Sequence, residues 1–204
     1  MYLFLIFLVL LGTSFVKSDS SVQTAAKLAR QVLKDEGIGT IMTIMDNSSE
    51  LGGYPFGIME YYSEQCFDNG NLLLYMSDLQ LSTKNMHHHP TRLSFTVRAT
   101  KEYNKPIFGN KTTPVEQPRF TLFGSVSIVP DDKTEEAFRC FTEIHPEAKL
   151  WHKMHDFHFY EFHVQAIYYV GGFGGFNYIG WIPPRLYQQP SSLTLQEVGS
   201  HENI

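Results

Sequence analysis

Residues 140–181 read CFTEIHPEAKLWHKMHDFHFYEFHVQAIYYVGGFGGFNYIGW. The pattern predicts a helix that ends at His145–Pro146, followed by a long aromatic strand from about Phe157 to Val170. This strand runs directly into four glycines within residues 171–175. Because glycine tolerates backbone conformations and close approaches that other residues do not, we expect the chain to bend sharply there or to pack closely against another group.

The aromatic strand has two faces that differ in composition. Successive side chains of a strand point to opposite sides. We predict that the first face lies in the core; it holds Tyr160, Phe162, Val164, Ala166, Tyr168 and Val170. The second face, from Phe159 to Tyr169, mixes aromatic and polar groups, which is typical of a dimer interface or the wall of a pocket.

The rest of the chain predicts further strands and two flanking helices. Apolar residues at helical spacing indicate a helix from Ser20 to Glu36, and a second is expected from Asp131 to His145. Strands are predicted at 38–45, 54–62, 72–76, 93–99 and 120–129, with a short helix or irregular crossing at 79–88 and a long surface loop at 101–118. Several antiparallel strands with few helices predict an α+β domain built on a barrel or sandwich.

Composition limits the classes of function. The 204 residues suffice for one domain with a hydrophobic core, and 14% aromatic with 18% charged residues indicates a globular chain. The formal net charge of −5 argues against nucleic acid as a partner.

The N-terminal residues predict a secretory route. The apolar run from Tyr2 to Leu11 is followed by small residues before Asp19, so we expect a signal peptide over 1–18; the run is too short for a transmembrane anchor. The sequons at Asn47 and Asn110 predict N-glycosylation. We expect one domain over 19–187 and a polar C-terminal tail over 188–204.

The chain contains two cysteines, Cys66 and Cys140. An oxidising compartment would allow a disulfide between them, whereas in its absence both would be separate buried thiols. Spacing alone does not decide between the two, because the geometry of a disulfide cannot be derived from sequence.

A cluster of hydroxyl groups and one lysine follows the third predicted strand. Ser77, Ser82, Thr83 and Lys84 are candidates to bind a phosphate group, because a strand-to-helix turn exposes backbone N–H groups beside these side chains. The alternative is an ordinary polar turn before a helix.

The histidines predict no metal site. His87, His88 and His89 are adjacent and lack a nearby cysteine or carboxylate that would complete a tetrahedral set. His152, His155 and His158 share a face only in a helix, and the aromatic strand separates them.

Several motifs together resemble one family. These are Tyr75–Ser82 with Asn85 and Pro90, His145–Pro146–Glu147 with Trp151, and the glycines after Tyr169. Over residues 20–185 the chain resembles the CREG glycoproteins, relatives of the pyridoxamine 5′-phosphate oxidase-like split barrels. The resemblance implies a six-stranded antiparallel split β-barrel of the FMN-binding type with flanking helices.

The resemblance also implies a function. CREG proteins are secreted, N-glycosylated homodimers without flavin, which act as ligands or regulators in the secretory and endolysosomal or vacuolar system. A receptor or a glycan-dependent partner is therefore expected, with no enzymatic activity. The segment from Val170 to Gly174 departs from this pattern, because it is more similar to flavin- or haem-handling members of the superfamily. Because of this segment and of Lys84, which could bind a phosphate group, the alternative hypothesis is an FMN-dependent oxidoreductase.

Overall fold

The computed structural model describes residues 14–107, 109–154, 156–173 and 177–189. The predicted leader over 1–18 lies outside these residues except for its last five, and the predicted tail lies outside them beyond Gln189. The long helix expected from Ser20 begins at Ser14 in the structure. None of the helices in the described part of the chain is long and apolar enough to cross a membrane.

Seven strands and four α-helices make up the described domain. The strands are β1 Ile38–Ile44, β2 Pro55–Ser63, β3 Leu72–Ser77, β4 Leu93–Arg98, β5 Arg119–Ile128, β6 Phe157–Val170 and β7 Ile179–Ile182. The α-helices are α1 Ser14–Glu36, α2 Leu81–His88, α3 Thr134–Ile144 and α4 Pro184–Gln188, with 3-10 helices at Pro114–Glu116, Asp131–Lys133 and Pro146–Lys153.

Six of the strands close into a barrel. Their order is β3-β2-β1-β4-β5-β6, every pair is antiparallel, and β3 pairs with β6 to complete the circle. The predicted six-stranded antiparallel split barrel with flanking helices is therefore confirmed. The pairing of β2 with β3 is short, since it joins only Tyr62 to Leu74 and Ser63 to Leu73. The barrel thus opens between these two strands beyond Tyr62.

The sequence did not predict the seventh strand. β7 extends the sheet beyond the barrel by pairing with the end of β6, from Ile167 opposite Ile182 to Val170 opposite Ile179. It has four residues and contains Gly180, so it lacks the length and the continuous side-chain alternation that identify a strand in a sequence.

The barrel encloses the main hydrophobic core. Its fully buried side chains include Ile41, Leu74, Phe95, Leu122 and Phe162. Helix α1 contributes Ala25, Ala29, Val32 and Leu33, whose spacing places them along one face of the helix. The helix ends at Glu36 and is followed by Gly37, which has a positive φ of 67° and whose carbonyl oxygen accepts a hydrogen bond from Tyr62 N at 2.9 Å.

A second, smaller core lies outside the barrel wall under α3. It joins Leu73 and Tyr75 of β3 to Phe159 of β6 and to Phe141 of α3. The rings of Tyr75 and Phe159 stack with centroids 4.2 Å apart, and Phe141 meets both edge-on. Strands β3 and β6 therefore contribute apolar side chains to both cores.

The predicted core face of β6 is correct only in its first half. Tyr160, Phe162 and Val164 are buried, but further along Ile167 and Tyr169 are buried while Tyr168 is 39% exposed. The cause is a β-bulge, because Gly124 pairs with Val164 whereas the preceding Phe123 pairs with Ala166. The extra residue on β6 exchanges the two faces of the strand from that point onward.

Candidate functional site

The predicted phosphate-binding residues lie at the end of β3 and the start of α2. Ser77 is the last residue of β3, and Ser82, Thr83 and Lys84 belong to the first turn of α2. The three hydroxyl side chains are buried, whereas Lys84 is exposed. The structure therefore brings the hydroxyl residues into one corner of the barrel, at the opening between β2 and β3.

Gln80 organises this corner, and the sequence analysis did not identify it. Its Oε1 accepts a hydrogen bond from Ser77 N at 3.2 Å, and its Nε2 donates one to Glu60 Oε1 at 2.7 Å. The Ser77 hydroxyl accepts a hydrogen bond from Leu79 N at 3.2 Å. The Gln80 side chain thus spans the gap between β2 and β3, where the two strands no longer pair.

Glu60 is the one charged residue of β2, which is otherwise mostly apolar and aromatic, and its side chain is buried at 6% exposure. Burial raises the pKa of its carboxyl group to about 7, although the hydrogen bond from Gln80 and the nearby Ser82 hydroxyl lower it. No ion pair to Glu60 is found among the residues that the structure describes. Its position on the apolar face of a predicted strand was the available signal in the sequence.

The corner does not fit a phosphate dianion in the described chain. The hydroxyl oxygens of Ser82 and Thr83 have no hydrogen bond of good geometry, but both are sealed from solvent. The Glu60 carboxyl, which interacts with the Ser82 hydroxyl, repels an anion when it is ionised, and no ion pair joins it to the exposed Lys84 among the described residues. A phosphate would need the corner to rearrange.

An aromatic cleft of about 260 Å³ opens beside this corner on the outside of the barrel. Its walls are Tyr61, Tyr75, Trp151 and Phe157, with Glu60 and Gln80 at one side. Trp151 lies at the centre of the group, since its ring is 5.1 Å from that of Tyr61, 6.1 Å from Tyr75 and 5.9 Å from Phe157. The 3-10 helix after α3 places Trp151 there, and the loop at 101–118 supplies no lining residue.

The glycine run has a structural reason. The carbonyl oxygen of Gly171 accepts a hydrogen bond from Asn104 Nδ2 at 2.6 Å, and Asn104 comes from the long loop. Gly172 has a φ of 137°, and a Cβ there would lie 2.6 Å from the Glu116 carbonyl oxygen. Close approach of the loop therefore requires glycine at position 172, whereas at position 171 a Cβ would lie within 2.9 to 3.1 Å of Tyr169, Asn177 and the Tyr178 carbonyl oxygen. Residues 174 and 175 of the run lie outside the described residues.

A serine, a histidine and a glutamate meet on the outer surface of β5 and β6. Ser127 Oγ is 2.8 Å from His163 Nε2, and Glu161 Oε1 is 3.5 Å from His163 Nδ1. Asn71 lies beside them: its Oδ1 accepts a hydrogen bond from Val164 N, and its Nδ2 donates one to Glu161 Oε1 at 2.6 Å and lies 3.3 Å from His163 Nδ1. The direction of the hydrogen bond between Ser127 and His163 follows the histidine tautomer: a proton on Nε2 is donated to Ser127, whereas a proton on Nδ1 leaves Nε2 to accept from the serine.

The structure joins Cys66 and Cys140 in a disulfide, so the two cysteines left open by the sequence are paired. The bond ties the loop after β2 to α3 across 74 positions of sequence. Beside it lies a larger cleft of about 710 Å³, which carries charges of both signs from Lys133, Glu143 and Glu161.

Two further predictions concern the surface. The sequon residues Asn47 and Asn110 are exposed, and their glycosylation stays a prediction. Within the described ranges no group of three or more histidine, cysteine, aspartate or glutamate residues could hold a metal ion.

Solved structures share this fold. A haem-binding protein from Mycobacterium smegmatis aligns with a TM-score of 0.65 at 23% identity over 80% of this chain, which spans 60% of that protein. A Clostridium acetobutylicum protein of the pyridoxinephosphate oxidase family, related to general stress protein 26, aligns with a TM-score of 0.51 at 13% identity. The alignment covers 73% of this chain and 89% of that protein. An FAD-binding protein from Mesorhizobium loti aligns with a TM-score of 0.50 at 15% identity, over 71% of this chain and 90% of that protein. At these identities the likeness establishes the fold alone.

Comparison with curated proteins gives no match. A family model described as "CREG, beta-barrel" matches residues 20–189, which is most of the chain and nearly all of the domain described above. The chain therefore belongs to the CREG β-barrel family.

Proposed function

We propose that this protein is a non-catalytic, dimeric regulator or ligand that works in the secretory and endolysosomal system. One observation carries the proposal: the corner that holds the predicted phosphate-binding residues also contains a buried carboxyl group, Glu60, which accepts a hydrogen bond from Gln80. A carboxyl there opposes an anionic cofactor. Family membership and the two exposed sequon residues, Asn47 and Asn110, support the same conclusion.

An aromatic patch supports the dimer. Phe123, Tyr168 and Trp181 lie on neighbouring strands with exposed fractions of 39%, 39% and 57%. The Trp181 ring is 5.6 Å from Phe123 and 5.2 Å from Tyr168, so the three form one continuous surface. Exposed aromatic side chains in contact with one another are typical of a protein interface, and a second copy of the chain is the occupant that we propose.

Light scattering after size exclusion tests the dimer. We expect a mass of about two chains for the native protein and of one chain for Trp181→Lys, because the lysine would place a charge in the aromatic patch. Leu150→Lys is a matched control, since Leu150 is 60% exposed elsewhere on the molecule. A monomeric native protein would overturn the dimer.

An absorption spectrum of the protein purified from a eukaryotic secretory host tests the absence of a flavin. We expect no flavin band and no rise in the unfolding temperature with added FMN. A stoichiometric flavin band would overturn the proposal.

Such a band would favour the alternative, an FMN-dependent oxidoreductase. The cofactor would then supply the redox chemistry, and Ser77, Ser82, Thr83 and Lys84 would hold its phosphate. The FAD-binding protein from Mesorhizobium loti, which shares this fold, supports this alternative. Under it, Lys84→Ala would weaken FMN binding strongly.

A further inference from the structure

The aromatic cleft and the buried carboxyl beside it form a pair that neither the family nor the proposed function explains. Glu60 and Gln80 line the same cleft as four aromatic rings. We propose that this cleft binds a small organic ammonium ion, with Glu60 as its counter-ion and the rings of Tyr61, Tyr75 and Trp151 around its charge. This inference rests on the cleft itself and goes beyond the proposed function.

The charge of the ligand follows from the lining. The faces of aromatic rings carry negative electrostatic potential and attract cations, most strongly for tryptophan. Glu60 adds a carboxyl group that has no cation as a partner in the described chain. The ring faces and the ionised Glu60 carboxyl would both repel an anion, and a neutral apolar ligand would give the carboxyl no counter-charge. A cation is attracted by the ring faces and by the carboxyl.

The hydrogen bonds of Glu60 favour a ligand that carries an N–H group. Its Oε1 accepts a hydrogen bond from Gln80 Nε2 at 2.7 Å. This is the one hydrogen bond of strict geometry that the carboxyl group makes with the described residues, and the Ser82 hydroxyl beside it is a neutral donor that brings no charge. A protonated amine would complete the carboxyl with a charge-assisted hydrogen bond, which a quaternary ammonium ion cannot donate.

The dimensions limit the ligand to a small molecule. The cleft volume of about 260 Å³ is at the lower end of the range for ligand pockets. Two exposed methionines, Met59 and Met154, stand at its rim with exposed fractions of 55% and 65%. Methionine side chains adapt readily to apolar groups, so the rim suits the carbon skeleton of an alkyl or aryl amine.

Calorimetric titration of the full-length protein with benzylamine at neutral pH, where benzylamine is protonated, tests the proposal. Benzyl alcohol is the neutral probe of nearly the same shape, and tetramethylammonium is a cation without an N–H group. We expect benzylamine to bind, tetramethylammonium to bind more weakly and benzyl alcohol to bind at least tenfold more weakly. Absence of benzylamine binding, or equal affinity for benzyl alcohol, would overturn the proposal.

Variants assign the binding to the cleft. Glu60→Gln keeps the shape of the side chain without its charge and should weaken benzylamine binding at least tenfold. Trp151→Leu should weaken it several-fold. Glu50→Gln is the matched control, because Glu50 lies exposed in the turn before β2 and should leave the affinity unchanged. Unchanged affinity in a Glu60→Gln protein with a native circular dichroism spectrum would overturn the proposal.

Discussion

The two hydrophobic cores of this domain are held together in different ways. The barrel core is enclosed by a ring of hydrogen-bonded strands, with Phe162 at 0% exposure. The second core lies outside the barrel wall, and its far side is α3, which meets the sheet through rings such as Phe141 and through the Cys66–Cys140 disulfide. The first core is thus closed by the sheet itself, whereas the second depends on a helix fastened to it. Loss of a contact in the barrel core should therefore unfold the whole domain, whereas loss of a contact in the second core should release α3 alone.

The largest effect is expected in the barrel core. Phe162→Ala should lower the free energy of unfolding by about 4 kcal/mol, because it removes a fully buried ring and leaves a cavity. Chemical denaturation monitored by tryptophan fluorescence measures this change. Phe141→Ala is the matched comparison, since Phe141 is also 0% exposed. We expect a smaller cost for Phe141→Ala, and an equal cost would contradict the distinction between the two cores.

Removal of the disulfide should act on the second core. The paired substitution of Cys66→Ser and Cys140→Ser should lower the free energy of unfolding by about 3 kcal/mol, because the bond closes a loop across 74 positions. Hydrogen exchange should show lost protection in α3 before any loss in β4 or β5. Simultaneous loss in all three elements would show that the disulfide supports the barrel as well.

Glu60 lies at the boundary between the cores and makes stability depend on pH. Burial raises its folded-state pKa from 4.5 to about 7, so the folded protein holds a proton that the unfolded chain releases between these values. The contribution of Glu60 to stability is therefore fully present below pH 4.5 and is lost as pH rises to about 7, by up to about 3 kcal/mol. With respect to this group, the protein would be more stable at acidic than at neutral pH.

The substitution Glu60→Gln should remove this dependence. We expect the variant to match the native protein near pH 4 and to be more stable above pH 7, because no charge has to be buried. Thermal unfolding across this pH range measures the difference, with Glu50→Gln as an exposed control. Parallel pH profiles for the native protein and Glu60→Gln would show that Glu60 is not the group responsible.

The smallest effect is expected at the far end of the barrel, where the glycine turn meets the long loop. Gly172→Ala should cost about 2 kcal/mol, since its φ of 137° disfavours alanine and the new methyl group would meet the Glu116 carbonyl oxygen. Gly109→Ala shares the positive φ, at 89°, but has open space around it. Equal losses of stability for the two substitutions would show that the positive φ alone causes the effect, without a contribution from the contact with Glu116.

Local patterns in the sequence were sufficient for most of the fold and insufficient for the site. Alternation identified six strands, and helical spacing identified α1 and α3, because these signals lie within single elements. The contact of Glu60 with Gln80 joins residues 20 positions apart and exists only because β2 and β3 separate at that point. Trp151 reaches the same cleft from a 3-10 helix after α3, so no single segment of sequence contains the cleft.

The exchange of the two faces of β6 was also missed because it depends on contacts with another strand. Its residues alternate regularly in sequence, and the extra residue opposite the step from Phe123 to Gly124 is visible only in the pairing with β5. The glycine at position 124 is needed there, because a Cβ would lie 2.0 Å from the His163 carbonyl oxygen. The pairing partner, and not the strand, therefore sets which side chains of β6 are buried.

The bulge also limits how this domain can vary in length. Deletion of Gln165, the unpaired residue of the bulge, would remove the bulge and leave Ile167 and Tyr169 facing the core, because Val164 and Ala166 already pair with the consecutive residues Gly124 and Phe123. Insertion of one further residue after the bulge would instead exchange the two faces of the rest of β6 and turn Ile167 and Tyr169 outward. Single-residue insertions should therefore be tolerated far better in the loop at 101–118 than between Ala166 and Val170.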